Sequence, residues 1–181
     1  MHEQSRLRNF EDDVLLHLDA AYNLARWLTR NDRDAEDVVQ EASLCAFRFS
    51  GGNRGDNARA WFLKIVRNSY LNRLQEKQGA PPTTPFDEPV VSPEQSCNPE
   101  ALLLQKAESQ ALSQALEKLP ANFREVLVLR EIEGLSYKEI AYVVGIPIGT
   151  VLSTLSHARE RLRQSLSHPS RSDGLSRSAS P

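Results

Sequence analysis

The stretch GLSYKEIAYVVGIPIGTVLSTLSHARERL, residues 134–162, reads as two short helices that meet at a glycine and run into a basic end. Ser136 and Glu139 have capping-box spacing: the serine accepts from the third backbone amide and the glutamate reaches back to the serine's own. That spacing predicts a helix to about Val144, stopped by Gly145, which takes positive φ at little cost. Ala141 is small enough to let a second helix approach, and Ile140, Val144, Val151 and Leu155 can hold that helix down. Two helices crossing steeply through a short turn form a helix-turn-helix, although an ordinary helical hairpin would carry the same pattern. The second helix starts near Pro147 or Thr150 and runs to about Leu166. Its opening face offers Leu152, Ser153, Thr154, Ser156 and His157, with neither lysine nor arginine.

Working outward, ANFREVLVLREIE forms a helix stopped by Gly134, and Leu119-Pro120 marks the break before it. NPEALLLQKAESQALSQALEKL is a further helix, with Asn98 as its cap and Pro99 at its first position. Ahead of it, GAPPTTPFDEPVVSPEQSCNP is proline-rich and acidic, a composition that stiffens the chain and prevents helix formation. The N-terminal part carries three helical stripes. Val14, Leu18, Ala21, Tyr22, Ala25 and Leu28 define a helix from about Asp12 to Arg30. Ala35, Val38, Val39, Ala42, Ala46 and Phe49 define a second, with Asp32 or Asp34 as cap. Trp61, Phe62, Ile65 and Val66 define a third in ARAWFLKIVRNSYLNRLQEK, after the helix-breaking SGGNRGDN at residues 50–57. The serine-rich end, SHPSRSDGLSRSASP, reads as disordered.

The chain has 181 residues, 40% hydrophobic and 25% charged, which is an ordinary soluble composition for one domain or two small ones. No apolar run approaches the roughly 20 residues needed to cross a bilayer, and MHEQSRLRNFEDD has no signal core. Cys45 and Cys97 are isolated, and no His/Cys cluster has zinc spacing. A cytoplasmic setting is expected, with no membrane insertion. A glycine-rich phosphate loop and a paired nucleophile and base are both lacking, so neither enzyme activity nor a small-molecule substrate is expected. Cofactor and metal are likewise not expected, and His17, beside an apolar stripe, reads as structural or surface.

Residues 119–166, LPANFREVLVLREIEGLSYKEIAYVVGIPIGTVLSTLSHARERLRQSL, resemble region 4 of the sigma-70 family, extracytoplasmic-function (ECF) group. The likeness rests on the Leu-Pro start, Arg124, LRE-x-EGLSYKEIA, GTV and ARERL. It implies that the second helix enters the major groove at the minus thirty-five element and that flanking helices meet the flap of the polymerase β subunit. Lys138, Thr150, Ser153, Thr154, His157, Arg159 and Arg161 are the implied DNA contacts. Family members carry basic residues where this chain has Leu152, Thr154 and His157. Each lost phosphate contact should lower the log–log salt slope by about 0.9, so upstream binding by this module alone should be weak.

DAEDVVQEASLCAF, residues 34–47, resembles the family's region 2.2, which docks on the β′ clamp helices. The implied contacts are Asp37, Gln40 and Glu41, beside the core-facing Val38, Val39 and Ala42. ARAWFLKIVRNSYLNRL resembles regions 2.3 and 2.4, which open the minus-ten element and capture flipped bases. Asn68 matches the asparagine of W-L-x-x-I-A-x-N, while Asn53 stands where the preceding loop usually has an aromatic. From Arg59 to Lys77 there are five basic residues and one acid, Glu76. Arg59, Lys64, Arg67 and Arg73 suit a strand backbone, and Asn68 and Asn72 suit base edges.

The expected fold is all-α: two small helical bundles joined by a flexible linker. Residues 10–77 form region 2, 78–98 the linker, 99–166 region 4 with its helix-turn-helix, and 167–181 the tail. The resemblance implies a factor that binds core RNA polymerase and directs promoter recognition and opening, held in check by an anti-sigma factor. Two alternatives are a sigma-like decoy that binds an anti-sigma factor or polymerase without reading DNA, and a stand-alone helix-turn-helix repressor. The repressor would leave the helix at 34–47 without a role.

Overall fold

A computed structural model describes residues 14–49, 57–79 and 99–167. The N-terminal residues 10–13, Asn53 with most of its loop, the linker at 80–98 with Cys97 and the cap Asn98, and the tail at 168–181 lie outside the described residues. Every element among the described residues is helical.

A 3-10 turn, Leu15–His17, precedes α1, Leu18–Thr29. No side chain caps either start, and the regular helix begins at Leu18. Ala21, Leu24, Ala25 and Leu28 of α1 are buried, and the helix ends on Arg30 at φ 60. The cap of α2, Asp32–Arg48, is Asn31 rather than Asp32 or Asp34: its side-chain oxygen accepts from the Asp34 amide at 3.0 Å. Both aspartates fall in the first turn, where they suit the positive helix end. Ala35, Val38, Ala42 and Ala46 face inward, but Phe49 is 65% exposed, because the helix ends one residue before it. The third helix, α3, spans Ala58–Gln78 and is capped by Asn57, which accepts from the Ala60 amide at 2.9 Å. Phe62, Leu63 and Val66 are buried, while Trp61 and Ile65 are half-buried at the edge of the core.

The second bundle opens with α4, Pro99–Lys118. Next, α5, Ala121–Leu127, runs directly into a π-helical turn, Val128–Ile132, closed by the Glu133 amide on the Val128 carbonyl at 3.0 Å. Regular helical spacing does not anticipate that extra residue, and such turns recur at functional positions. Gly134 then reverses the chain at φ 66. The capping box of α6, Tyr137–Val144, is complete, and Gly145 ends the helix at φ 76. The last helix, α7, spans Ile148–Ser167, and its axis turns by 99° from α6. That angle lies in the range of a helix-turn-helix. Ile140, Val143, Val151, Leu155 and Ala158 are buried between the two helices and α5, with Val144 half-buried. No single helix is long and apolar enough to cross a membrane among the described residues.

Helices α1–α3 pack on one another, and in the second bundle α4, α5 and α6 each pack against α7. The two bundles also pack together: α3 meets α6, and α1 meets α5 and the π turn. Their buried side chains form one apolar cluster.

Candidate nucleic-acid interface

On α2 the burial of Ala35, Val38, Ala42 and Ala46 turns another face outward. Gln40, Glu41 and Leu44 are exposed there, with Asp37 partly so. Leu44 continues the strip one turn beyond Glu41 and is 58% exposed, an apolar addition that the polar candidates alone did not include. Asp37 is tied across to α3: Arg73 donates to its Oδ2 at 3.0 Å and lies 3.8 Å from Glu41. Arg73 therefore braces the acidic strip, in addition to any contact with a strand. Lys77 makes the next bridge, to Asp34 at 2.9 Å.

The other basic residues of α3 point toward the second bundle. Arg59 donates to Glu133 at 2.7 Å, Arg67 donates to Glu125 at 2.5 Å, and the Lys64 ammonium sits 4.2 Å from the centre of the Tyr142 ring. Asn57 donates to Glu139, and Asn23 of α1 donates to the second oxygen of Glu133 at 3.2 Å. Burial raises the Glu125 carboxyl above its ordinary range, against the pull of the Arg67 guanidinium. Glu139 moves the other way, lowered chiefly by the Ser136 backbone amide. His17 is lowered by burial and by nearby Arg59. Asn68 and Asn72, one turn apart, are exposed on a different face of α3.

In the second bundle Lys138, Thr150, Ser153 and His157 are exposed and Thr154 is half-buried. The Ser153 hydroxyl donates to its own helix at the Thr150 carbonyl, 3.1 Å away. Arg159 donates to Glu131 at 2.7 Å, and the Arg161 guanidinium lies 5.2 Å from the centre of the Phe123 ring. Among the exposed apolar residues of α7, Ile148 and Leu152 are one turn apart and equally open at 46%.

Sequence reasoning missed Asn23, Asn57, Glu125, Glu133 and Tyr142. None of the five left a local signal, because each meets a partner on another helix, far along the chain.

Two family models match, Sigma-70 region 2 over residues 14–79 and Sigma-70, region 4 over residues 109–162. The ECF RNA polymerase sigma-E factor of Escherichia coli K12 is 36% identical over 137 residues, spanning 71% of this chain and 72% of that one. This chain belongs to the sigma-70 family, ECF group. Sigma-70 proteins of this group are initiation factors rather than enzymes. The ECF RNA polymerase sigma factor SigE of Mycolicibacterium smegmatis is 33% identical over 165 residues, 91% of this chain, which spans 64% of that relative's length. Among solved structures, the sigma factor RpoE in complex with the anti-sigma factor NepR from Bartonella quintana superposes with a TM-score of 0.71 at 27% identity. The match covers 90% of this chain and 99% of that one. CnrH in complex with the cytosolic domain of CnrY gives 0.65 at 26% identity, covering 93% and 96%. Both matches take in the two bundles of this ECF chain together.

Proposed function

We propose that the chain binds core RNA polymerase in the cytoplasm and carries it to promoters, using its two bundles as separate grips. Residues 10–77 serve as region 2, 78–98 as the connecting linker and 99–166 as region 4. The strip Asp37, Gln40, Glu41 and Leu44 on α2 docks on the β′ clamp helices. Its acidic head and apolar end are the mixture expected of a specific protein interface. Region 4 sits on the β flap and presents α7 to the major groove, with Lys138, Thr150, Ser153, Thr154, His157, Arg159 and Arg161 as its contacts. Arg59, Lys64, Arg67 and Arg73 take the strand backbone at the minus-ten element, and Asn68 and Asn72 read its bases.

The observation that carries this reading is the pair on one chain: an outward acidic-to-apolar strip on α2, and a helix-turn-helix bent by 99° in the second bundle. Two modest promoter contacts held by one polymerase reinforce each other through effective concentration. An anti-sigma factor is the natural inhibitor, because the similar RpoE was captured with the anti-sigma factor NepR.

The deciding experiment is run-off transcription with core polymerase and the purified chain, on promoter fragments chosen by mapping start sites after overproduction. Start-site-specific transcripts that vanish on Asp37→Arg, together with loss of polymerase co-migration, are expected. Firm polymerase binding with no promoter-specific transcript would instead identify a decoy.

A further inference from the structure

Arg59, Arg67 and Arg73 of α3 each reach a carboxylate within 3.0 Å. Arg124 of α5 is buried more deeply, with 5% of its surface exposed, yet it forms no ion pair among the described residues. Its Nη1 donates to the Glu117 carbonyl at 3.3 Å, and its Nε has no hydrogen-bond partner among those residues. Arg30, at the left-handed end of α1, approaches the same residue from the first bundle, 3.8 Å from the Glu117 carboxylate. At that separation the guanidinium makes no hydrogen bond to it. Two cations thus share one loosely held carboxylate. Burial lowers the Arg124 guanidinium and nearby Arg30 lowers it further, but an arginine keeps its proton in a protein. The surplus positive charge stays. We infer that Arg124, Arg30 and the Tyr70 hydroxyl form an oxyanion site where α1, α3 and α5 meet. It takes a phosphate group, either free or at the end of a small phosphomonoester.

A buried charge left unpaired is costly, and an anion that reaches it removes that cost. A phosphate presents several acceptor oxygens, so one group can take the Nε–H of Arg124 and the N–H groups of Arg30 together. Burial raises the Tyr70 phenol, against the pull of Arg124 and Lys77, so its hydroxyl stays protonated and able to donate. Tyr70 also lines a cavity of about 100 Å3 with Leu28, Thr29, Leu74 and Lys77. That space lies beside the arginines and has room for the small body of an ester. The cavity's own cations are already met, Lys77 by Asp34 at 2.9 Å and Arg73 by Asp37 at 3.0 Å, which leaves Arg124 as the unmet one. Two carboxylates stand near. Glu125 is occupied by Arg67 at 2.5 Å, while Glu117 competes with the ligand for Arg30. None of Arg30, Tyr70 and Arg124 is among the residues assigned above to polymerase or DNA, so the site stands apart from that reading.

The test uses the full chain in buffer free of phosphate and sulfate, with calorimetric titration and melting scans at matched ionic strength. Inorganic phosphate and ribose 5-phosphate are the probes, and chloride and ribose are the controls. Phosphate should bind saturably, one per chain, and raise the melting temperature by about 3–6 °C at ten times its dissociation constant. The controls should do neither. Equal affinity for the two probes identifies the free anion as the ligand, and tighter binding of ribose 5-phosphate identifies an ester whose body fills the cavity. Arg30→Gln, at the surface, should weaken phosphate binding about tenfold. Glu117→Gln removes the competing carboxylate and should tighten it about fivefold. Arg124→Met should melt no lower than the parent without phosphate, since apolar replacement of a buried charge is often neutral or stabilising, and should gain nothing when phosphate is added. Lower melting of Arg124→Met in every buffer would show the arginine to be structural and overturn the site. Should that variant fail to fold, the Arg30 and Glu117 variants decide. No saturable binding by the parent, or parental affinity in both Arg30→Gln and Glu117→Gln, would overturn the site as well.

Discussion

Arg59 and Glu133, 74 positions apart in the chain, form a 2.7 Å ion pair in which the carboxylate is almost fully buried and the guanidinium is over one-third exposed. The pair joins α3 of region 2 to the residue that follows the π turn of region 4. Removing one member of a fully buried pair costs about 3–5 kcal/mol. Solvent around Arg59 screens this one, so Glu133→Ala should cost about 1–2 kcal/mol. At the size of this chain that corresponds to a fall of about 2–8 °C in melting temperature. Calorimetry should also show one transition broadening toward two as the bundles uncouple; a single unshifted transition would mean that the pair contributes nothing to closure.

Two carboxyls give opposite pH signatures. Glu139 is held below its ordinary value of 4.5, mainly by the Ser136 amide. Its folded form therefore binds fewer protons than the unfolded chain, and its stabilisation is present above that value and lost as pH falls through the lowered one. Glu125 is raised by burial. Its folded form binds more protons, so its contribution is greatest below 4.5 and declines as pH rises through the raised value. Urea midpoints measured across this range should show Glu139→Gln losing less stability than the parent on acidification. Glu125→Gln should lack the decline on the alkaline side. Swapped behaviour would contradict the burial of Glu125 against Arg67.

Asn68 is exposed on α3, away from the carboxylates of region 4 and from the α2 strip. Asn68→Ala should leave affinity for core polymerase unchanged and slow open-complex formation about tenfold or more, the usual worth of a good side-chain contact to a base edge. Permanganate footprinting of the opened strand reads this directly. Opening at the parental rate would remove Asn68 from base recognition.

The helix-turn-helix was legible because its determinants are local. Ser136 and Glu139 are three residues apart, and Gly145 stands where positive φ is required. The core stripes of α1 and α2 were legible for the same reason, except where Phe49 lies past the helix end. The cap of α2 was misplaced because Asn31 is followed by two acids that also suit a helix start. The π turn was hidden because one extra residue shifts the apolar register without leaving a turn residue behind. What no pattern could show is the contact between bundles. Arg67–Glu125, Arg59–Glu133 and Asn57–Glu139 span 58, 74 and 82 positions, and each looks in sequence like a solvated charge or a loop residue. The basic character of α3 was read correctly from composition, but not the fact that region 4 answers it.

Leu152 tests whether the recognition helix is limited by charge. It lies 46% exposed, next to Val151, which with Leu155 and Ala158 forms the buried face of α7. The arginines further along have partners within the chain: Arg159 on Glu131, Arg161 over Phe123 and Arg163 on Glu160. The early turns of α7 therefore offer a duplex hydroxyls, a histidine and two aliphatic side chains. Leu152→Arg would add a cation near the phosphates that flank the major groove. The substitution is at the surface and should change stability by no more than about 0.5 kcal/mol. It should tighten binding to an upstream-element duplex and steepen the log–log salt dependence by about 0.9. The measurement is a salt series with the polymerase-bound factor on matched duplexes, with and without the upstream element. A steeper slope with less preference for the element would mean that Leu152 itself helps to choose the sequence. An unchanged slope would show that this turn of α7 does not come within reach of the backbone.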